Sequence, residues 1–430
     1  MTVMAGLVPA IHVFATSKKD VDARLRGHDG ESHMLRPDTL ALTALLALLT
    51  AVGPLSIDLY LPSLPSIGAA LGASPSAVGL TISFYLVGFA VGQVVYGPLS
   101  DRYGRRPVLL AALTIFCAAS LACAASPSIT ALIGARALQA TGSAGTIVLA
   151  RAVVRDLYEG PRAGRELSLM AAIMGLAPIV APLIGSVLQT AFGWRACFVF
   201  IAAAGLVALA AAHWLLPETL RPRAHRAAGM LASLAVVARH RVALTFIGVI
   251  TASYAGLFAY ISGAPFVLQD LLGLSPVGFG LSFAVASVGY ISGTSLAARI
   301  VTRIGLDRTI AWGVVALAAG GLAMVAATAL VPGAVAGIVV PMTVYLFGLG
   351  LAMPQALAGA LQPFPERAGA ASSLIGCLQQ AVAATTGALV AHAIGATAWP
   401  LTIAIALAGG LSFIIWTATQ RARSAAARRG

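Results

Sequence analysis

Gly97-Pro98-Leu99-Ser100-Asp101-Arg102-Tyr103-Gly104-Arg105-Arg106-Pro107 stands between two apolar runs, residues 77–97 and 107–126. Each run is about the 20 residues that a helix needs to cross a hydrocarbon core. The stretch between them is short, turn-forming and basic, as an interior loop of a membrane protein is. Working outward, the same alternation continues along the chain. Twelve apolar spans are expected at 40–61, 77–97, 107–126, 129–150, 167–190, 194–216, 243–268, 276–298, 309–331, 334–361, 370–395 and 399–419.

Composition agrees with that reading. Of 430 residues, 59% are hydrophobic and 10% charged, with a mean hydropathy of +0.93. An average soluble domain is about 25% charged, and so few charges cannot coat a globule of this size. A soluble enzyme is excluded, and the fold class expected is an all-α polytopic membrane protein. The net charge of +13 does not point to nucleic acid. With both termini cytoplasmic, loops 98–106, 151–166, 217–242, 299–308 and 362–369 face inward and carry 3, 4, 5, 3 and 1 arginines. Lys18, Lys19, Arg24, Arg26 and Arg36 before the first span, and Arg421, Arg423, Arg428 and Arg429 after the last, join them. Only Arg136, inside a span, and Arg195, at an outer boundary, fall elsewhere. The basic charge sets topology.

The chain divides into an N-terminal segment 1–36, a first bundle 37–216, a linker 217–242, a second bundle 243–419 and a basic tail 420–430. In the N-terminal segment an apolar run, 7–14, precedes charges at 18–31, the reverse of a signal peptide. Translation starting at Met34 or a disordered tail are the two readings of that segment. The linker begins Pro217-Glu218-Thr219-Leu220 and includes Arg221, Arg223, His225, Arg226 and Arg239. Six spans on either side are what two related bundles require. An internal echo supports it: Asp101-Arg102-Tyr103-Gly104 recurs as Thr302-Arg303-Ile304-Gly305, 201 residues later. Cys117, Cys123, Cys197 and Cys377 show no metal or redox spacing and read as small buried residues.

Asp58 is the only acid expected within a span. An ionisable group at depth costs on the order of 3 kcal/mol and faces a cavity or the bundle interior. It suits a proton carrier, or it caps the outer end of the first span near Pro62. Arg136 is the only base expected within a span; it partners backbone carbonyls or Gln139, or its field tunes proton release from a carboxyl. Gly97 and Gly104 are expected to form a tight turn, with Asp101 beside Arg102, Arg105 and Arg106 in a clasp that joins the two halves. Gly175, Pro178, Pro182 and Gly185 in the fifth span permit a kink or close helix packing. Tyr60, Gln139, Tyr254 and Phe258 are candidate cavity residues, as more weakly are Phe84, Tyr85, Tyr260, Phe266, Gln93, Gln355, Gln379 and Gln380. His213 and His392 read first as interior hydrogen-bonding residues.

Residues 97–107 resemble motif A of the major facilitator superfamily. Leu132-x3-Arg136-x2-Gln139 resembles motif B, with Ala140 where Gly is usual. Residues 175–188 resemble the antiporter motif C, with Ala181-Pro182 and Gly185-Ser186 replacing Gly-Pro and Gly-Gly. Ile57-Asp58-Leu59-Tyr60-Leu61-Pro62-Ser63-Leu64-Pro65, residues 150–158 and Ser262-Gly263-Ala264-Pro265-Phe266-Val267 are similar to the bicyclomycin- and chloramphenicol-resistance branch. The resemblance covers about residues 40–420 and implies a proton-coupled multidrug exporter of the bacterial inner membrane. It implies proton coupling through Asp58 and Arg136, gating by Gly97, Asp101, Arg102, Gly104, Arg105 and Arg106, and antiport through Gly175, Pro182 and Gly185. Because motif C is altered, the direction of transport rests on the branch resemblance. The partners implied are a small amphiphilic substrate, protons and the bilayer, with function as a monomer. No enzyme motif and no Walker A sequence is present, so no cofactor is expected and an ion gradient is the energy source. The competing reading is a carrier of one metabolite, such as an amino acid, nucleobase or sugar; the scarcity of polar residues in the spans favours the drug exporter.

Overall fold

The computed structural model describes residues 40–158, 160–220, 230–364, 368–420 and 423. The N-terminal segment, the linker residues Arg221, Arg223, His225 and Arg226, and the tail beyond Arg423 lie outside the described residues. The described chain is helical throughout, which satisfies the backbone within each span. The helices are α1 (Leu40–Asp58), α2 (Leu64–Leu71), α3 (Pro75–Tyr103), α4 (Arg105–Ala125), α5 (Ile129–Leu157), α6 (Gly160–Phe192) and α7 (Trp194–Leu215). After them come α8 (Met230–Arg239), α9 (Arg241–Pro265), α10 (Pro276–Ile304), α11 (Leu306–Leu330), α12 (Ala336–Leu361), α13 (Ala368–Ala393) and α14 (Trp399–Ala418). Twelve stretches among them are long and apolar enough to cross a membrane, in the expected order.

Two spans run longer than the sequence indicates. The first reaches from Leu42 to Leu71, because the chain turns at Leu59–Tyr60, makes one 3-10 turn at Leu61–Ser63 and resumes as α2. Asp58 therefore stands near the middle of this span, not at its outer end. The seventh continues beyond α9 through a π-helical turn, Phe266–Leu271, and so takes in Asp270. Helix ends elsewhere also extend into the expected loops, so Asp101, Arg151, Arg155 and Asp156 are helical, and Asp58 and Arg136 are not the only charges within the spans.

The repeat seen in the sequence is structural. Ser74 caps α3 by accepting from the Ala77 amide, and Ser275 caps α10 by accepting from the Gly278 amide, with proline following in both. Both helices end at a glycine of positive φ, Gly104 at 99° and Gly305 at 82°, a backbone conformation that favours glycine. Each of these equivalent pairs is 201 residues apart. Gly88 and Gly92 press on the backbone of Ala137 and Thr141, and Gly289 and Gly293 on that of Thr343 and Phe347, so both halves use small residues to bring helices together.

The halves meet along α3 with α13 and α6 with α10. Ser76 Oγ lies 3.2 Å from His392 Nδ1, Ser83 donates to the Ala384 carbonyl at 2.9 Å, and Gly79 abuts Ala391. Across the other seam, a Cβ at Gly280 would lie 2.9 Å from both the Pro182 carbonyl and Ser186 Oγ, while Ser287 donates to the Pro178 carbonyl at 3.4 Å. These contacts lie in the helix halves remote from the basic end that carries Asp101.

Candidate functional site

Arg136 is fully buried on α5, one turn from Gln139. Its guanidinium carbon sits 4.2 Å from the ring centre of Tyr60 and 4.3 Å from that of Tyr85, with Phe198 at 5.7 Å. An arginine in an aromatic box keeps its charge away from water by cation–π attraction. Nη1 donates to Gln139 Oε1 at 2.5 Å and to the Ser56 carbonyl at 3.0 Å. Gln139 is held in turn by donating to Ser120 at 2.8 Å, and Tyr60 and Tyr85 bond Thr81 and Ser143. Among the described residues, Nε and Nη2 have no hydrogen-bond partner.

The Ser56 carbonyl belongs to the last turn of α1, where carbonyls lack intrahelical partners and the helix dipole is negative. Arg136 thus caps the helix that ends in Asp58. Asp58 itself is 5% exposed and, among the described residues, its carboxylate makes no ion pair or hydrogen bond. Arg136 and Asp58 are not ion-paired; the arginine reaches the backbone two residues earlier. From the other half, Tyr254 of α9 lies within electrostatic reach of Asp58 and packs on Phe258 at 4.9 Å between ring centres.

Of the four cavity candidates, only Tyr254 keeps an accessible face. Tyr60 and Gln139 are fully buried as walls of the Arg136 box, and Phe258 is 2% exposed. Tyr85, Ser56, Ser120 and Phe198 complete the box; only Tyr85 was singled out by sequence, because a backbone carbonyl and scattered small polar residues leave no spacing to read.

Gly185 explains the break after Asp58. A Cβ there would collide with the Leu59 carbonyl, so α6 approaches the backbone at that point. The neighbouring Ser186 faces Gly280 of the second half. Gly175 has open space around it and makes no such contact. Pro182 and Pro178 offer carbonyls to the inter-half seam.

At the basic end, Arg105 Nη1 pairs with Asp101 at 2.5 Å and Nε with Asp156 at 2.8 Å, while Glu218 accepts from the backbone amides of Arg105 and Arg106. Arg106 donates to the His213 carbonyl, and the Arg102 guanidinium lies over Tyr103. The clasp therefore closes within the first half and the start of the linker, and does not bridge to the second half as expected. The turn is also shorter than expected: α3 remains helical through Gly97, which has open space around it, and only Gly104 turns the chain. Asp156 and Glu218 join the clasp; both stand in stretches singled out in the sequence, but without a role.

Comparison with known proteins follows this geometry. Residues 46–388 match the family profile described as Major Facilitator Superfamily. The chain is 32% identical over 376 residues to the chloramphenicol resistance protein of Pseudomonas aeruginosa, covering 84% of this chain and 87% of that protein. It is 33% identical over 349 residues to multidrug resistance protein D of Escherichia coli (strain K12), covering 80% and 87%. The fold is similar to a crystal structure of a D-xylose–proton symporter, with a TM-score of 0.72 at 16% identity, covering 89% of this chain and 97% of the other.

Proposed function

The chain belongs to the major facilitator superfamily, and from that premise we propose that it exports small drug-like molecules across a bacterial inner membrane in exchange for protons. Relatives named for chloramphenicol and multidrug resistance support the substrate class. The positive-inside distribution supports a cytoplasmic basic end with both termini on the same side. The halves touch mainly toward the opposite end, which supports reading this arrangement as closed to the exterior. Rocking the halves about a central site alternates access.

The observation that carries proton coupling is Asp58: a mid-span carboxyl at a helix C-terminus, with no cation or hydrogen-bond donor among the described residues, within electrostatic reach of Tyr254 in the other half. As an anion it opposes both burial and the helix dipole. A proton, or a substrate group, relieves that penalty, and competition between the two for one carboxyl is the chemistry of antiport. Arg136 holds the helix end that presents Asp58, Gly185 fixes the chain break beside it, and the Arg105 clasp braces the cytoplasmic end of the first half. The protein acts as a monomer, with the proton gradient as its energy source and no cofactor.

The test is proton flux in proteoliposomes carrying an internal pH dye, with chloramphenicol, bicyclomycin, ethidium and several amino acids as substrates. Drug-induced proton movement that disappears in Asp58→Asn is the expected result. Movement that persists in the variant would remove Asp58 from the coupling. Movement with an amino acid and none with any drug would make the protein a metabolite carrier.

A further inference from the structure

Two arginines at the cytoplasmic mouth have no role in the reading above. Arg151 and Arg155 lie four residues apart near the end of α5, hence on one face. Their neighbours Ala152, Val153 and Val154 are buried in the first half. Both side chains are exposed, at the end of the molecule opposite the seam where the halves touch, and Arg151 also lies against α6. Arg151 Nη2 lies 4.0 Å from Met174 Sδ on α6, one residue before the open position Gly175, and it feels the like charge of Arg155. Among the described residues neither makes an ion pair. Among the described acids nearby in sequence, Asp156 is engaged by Arg105 and Thr219, and Glu166 by Thr43.

Arg151 is fifteen residues from Arg136, about 22 Å along the helix, so it stands on the cytoplasmic approach and not at Asp58. A cleft lined by one sign of charge between low-dielectric walls concentrates counter-ions by about 10- to 1,000-fold and disfavours like charges. We infer that Arg151 and Arg155 form an electrostatic filter at the cytoplasmic mouth that selects neutral and anionic substrates over cationic ones. The inference rests on the exporter reading and narrows its substrate class.

The first experiment reads the field without transport. Met174→Cys is introduced into the full chain with Cys377→Ser, the other three cysteines being buried. In membranes, the rate of modification by a sulfonate methanethiosulfonate reagent is divided by that for a trimethylammonium one, each normalised to a free thiol. The expected ratio is well above one, falls about five- to tenfold in Arg151→Gln/Arg155→Gln and is retained with lysine at both positions; a ratio that neutralisation leaves unchanged overturns the filter. In transport, the double Gln variant should lower the ethidium KM at least about fivefold relative to that of chloramphenicol, and parallel KM values also overturn it. Loss of all drug-driven proton movement in the unmodified protein would defeat the exporter reading while leaving the thiol ratio intact.

Discussion

Arg136 donates to the backbone carbonyl of Ser56, two residues before Asp58, and not to the Asp58 carboxylate. The distinction decides how the two buried charges are connected. An ion pair would neutralise the acid directly; a cap steadies the helix end and leaves the carboxyl uncompensated. The cation finds its own compensation in two tyrosine rings and Gln139.

Lysine at position 136 should therefore fail. Its ammonium is a point charge with no planar fork to lie between two rings while bonding Gln139 and Ser56. Hydrogen bonds to charged groups contribute about 1.5–3 kcal/mol each. Arg136→Lys is expected to lose at least about 2 kcal/mol of stability in detergent and most transport. Thermal unfolding alongside Gln139→Ala checks this, and the two substitutions should be non-additive because Gln139 loses its partner in either case.

Gly185 and Gly175 separate packing from family pattern. Both stand in the resembled antiporter motif, but only a Cβ at 185 strikes backbone, at Leu59. Overpacking costs about 1–3 kcal/mol. Gly185→Ala should lower the unfolding temperature and impair proton exchange, since the displaced residue adjoins Asp58. Gly175→Ala should leave both nearly unchanged, and equal effects would assign the motif a role other than the contact seen.

Most of the fold was legible because a bilayer imposes a length and a polarity on every span. The 201-residue echo at Gly104 and Gly305 extends to capping serines and helix-contact glycines. The first span was misjudged because Pro62 and Pro65 look like a terminus, whereas the helix restarts after them. For the site, single charged residues in apolar surroundings were easy to find. Their partners were not: the Ser56 carbonyl is a backbone group, and Tyr254 comes within electrostatic reach of Asp58 only through the packing of two halves nearly 200 residues apart. The clasp was read as bridging because charge spacing does not reveal which helix receives it.

Within that clasp the acids should be unequal. Asp156 has 14% of its side chain exposed and Asp101 has 41%. Exposed pairs contribute about 0–1 kcal/mol, while removing one partner of a buried pair costs about 3–5 kcal/mol. Arg105→Ala should thus be the most destabilising change, Asp156→Asn intermediate and Asp101→Asn small. Unfolding temperatures of the three variants test the order, and a large effect of Asp101→Asn would place its partner outside the first half.

The seam between α3 and α13 gives the last prediction. Gly79 abuts Ala391, and Ser83 is 6% exposed with its hydroxyl on the Ala384 carbonyl. A valine at 79 has no room while the halves touch, so the closed arrangement should lose about 1–3 kcal/mol relative to one in which they part. That corresponds to about 5- to 150-fold in the equilibrium between the states. With Cys377→Ser, a cysteine at Ser83 should label slowly from the exterior in the parent, and at least about tenfold faster once Gly79→Val is added. The clasp at the basic end should be unaffected, because the Arg105 side chain finds its carboxylates, Asp101 and Asp156, within the first half. Labelling that Gly79→Val leaves unchanged would mean that this seam does not open during transport.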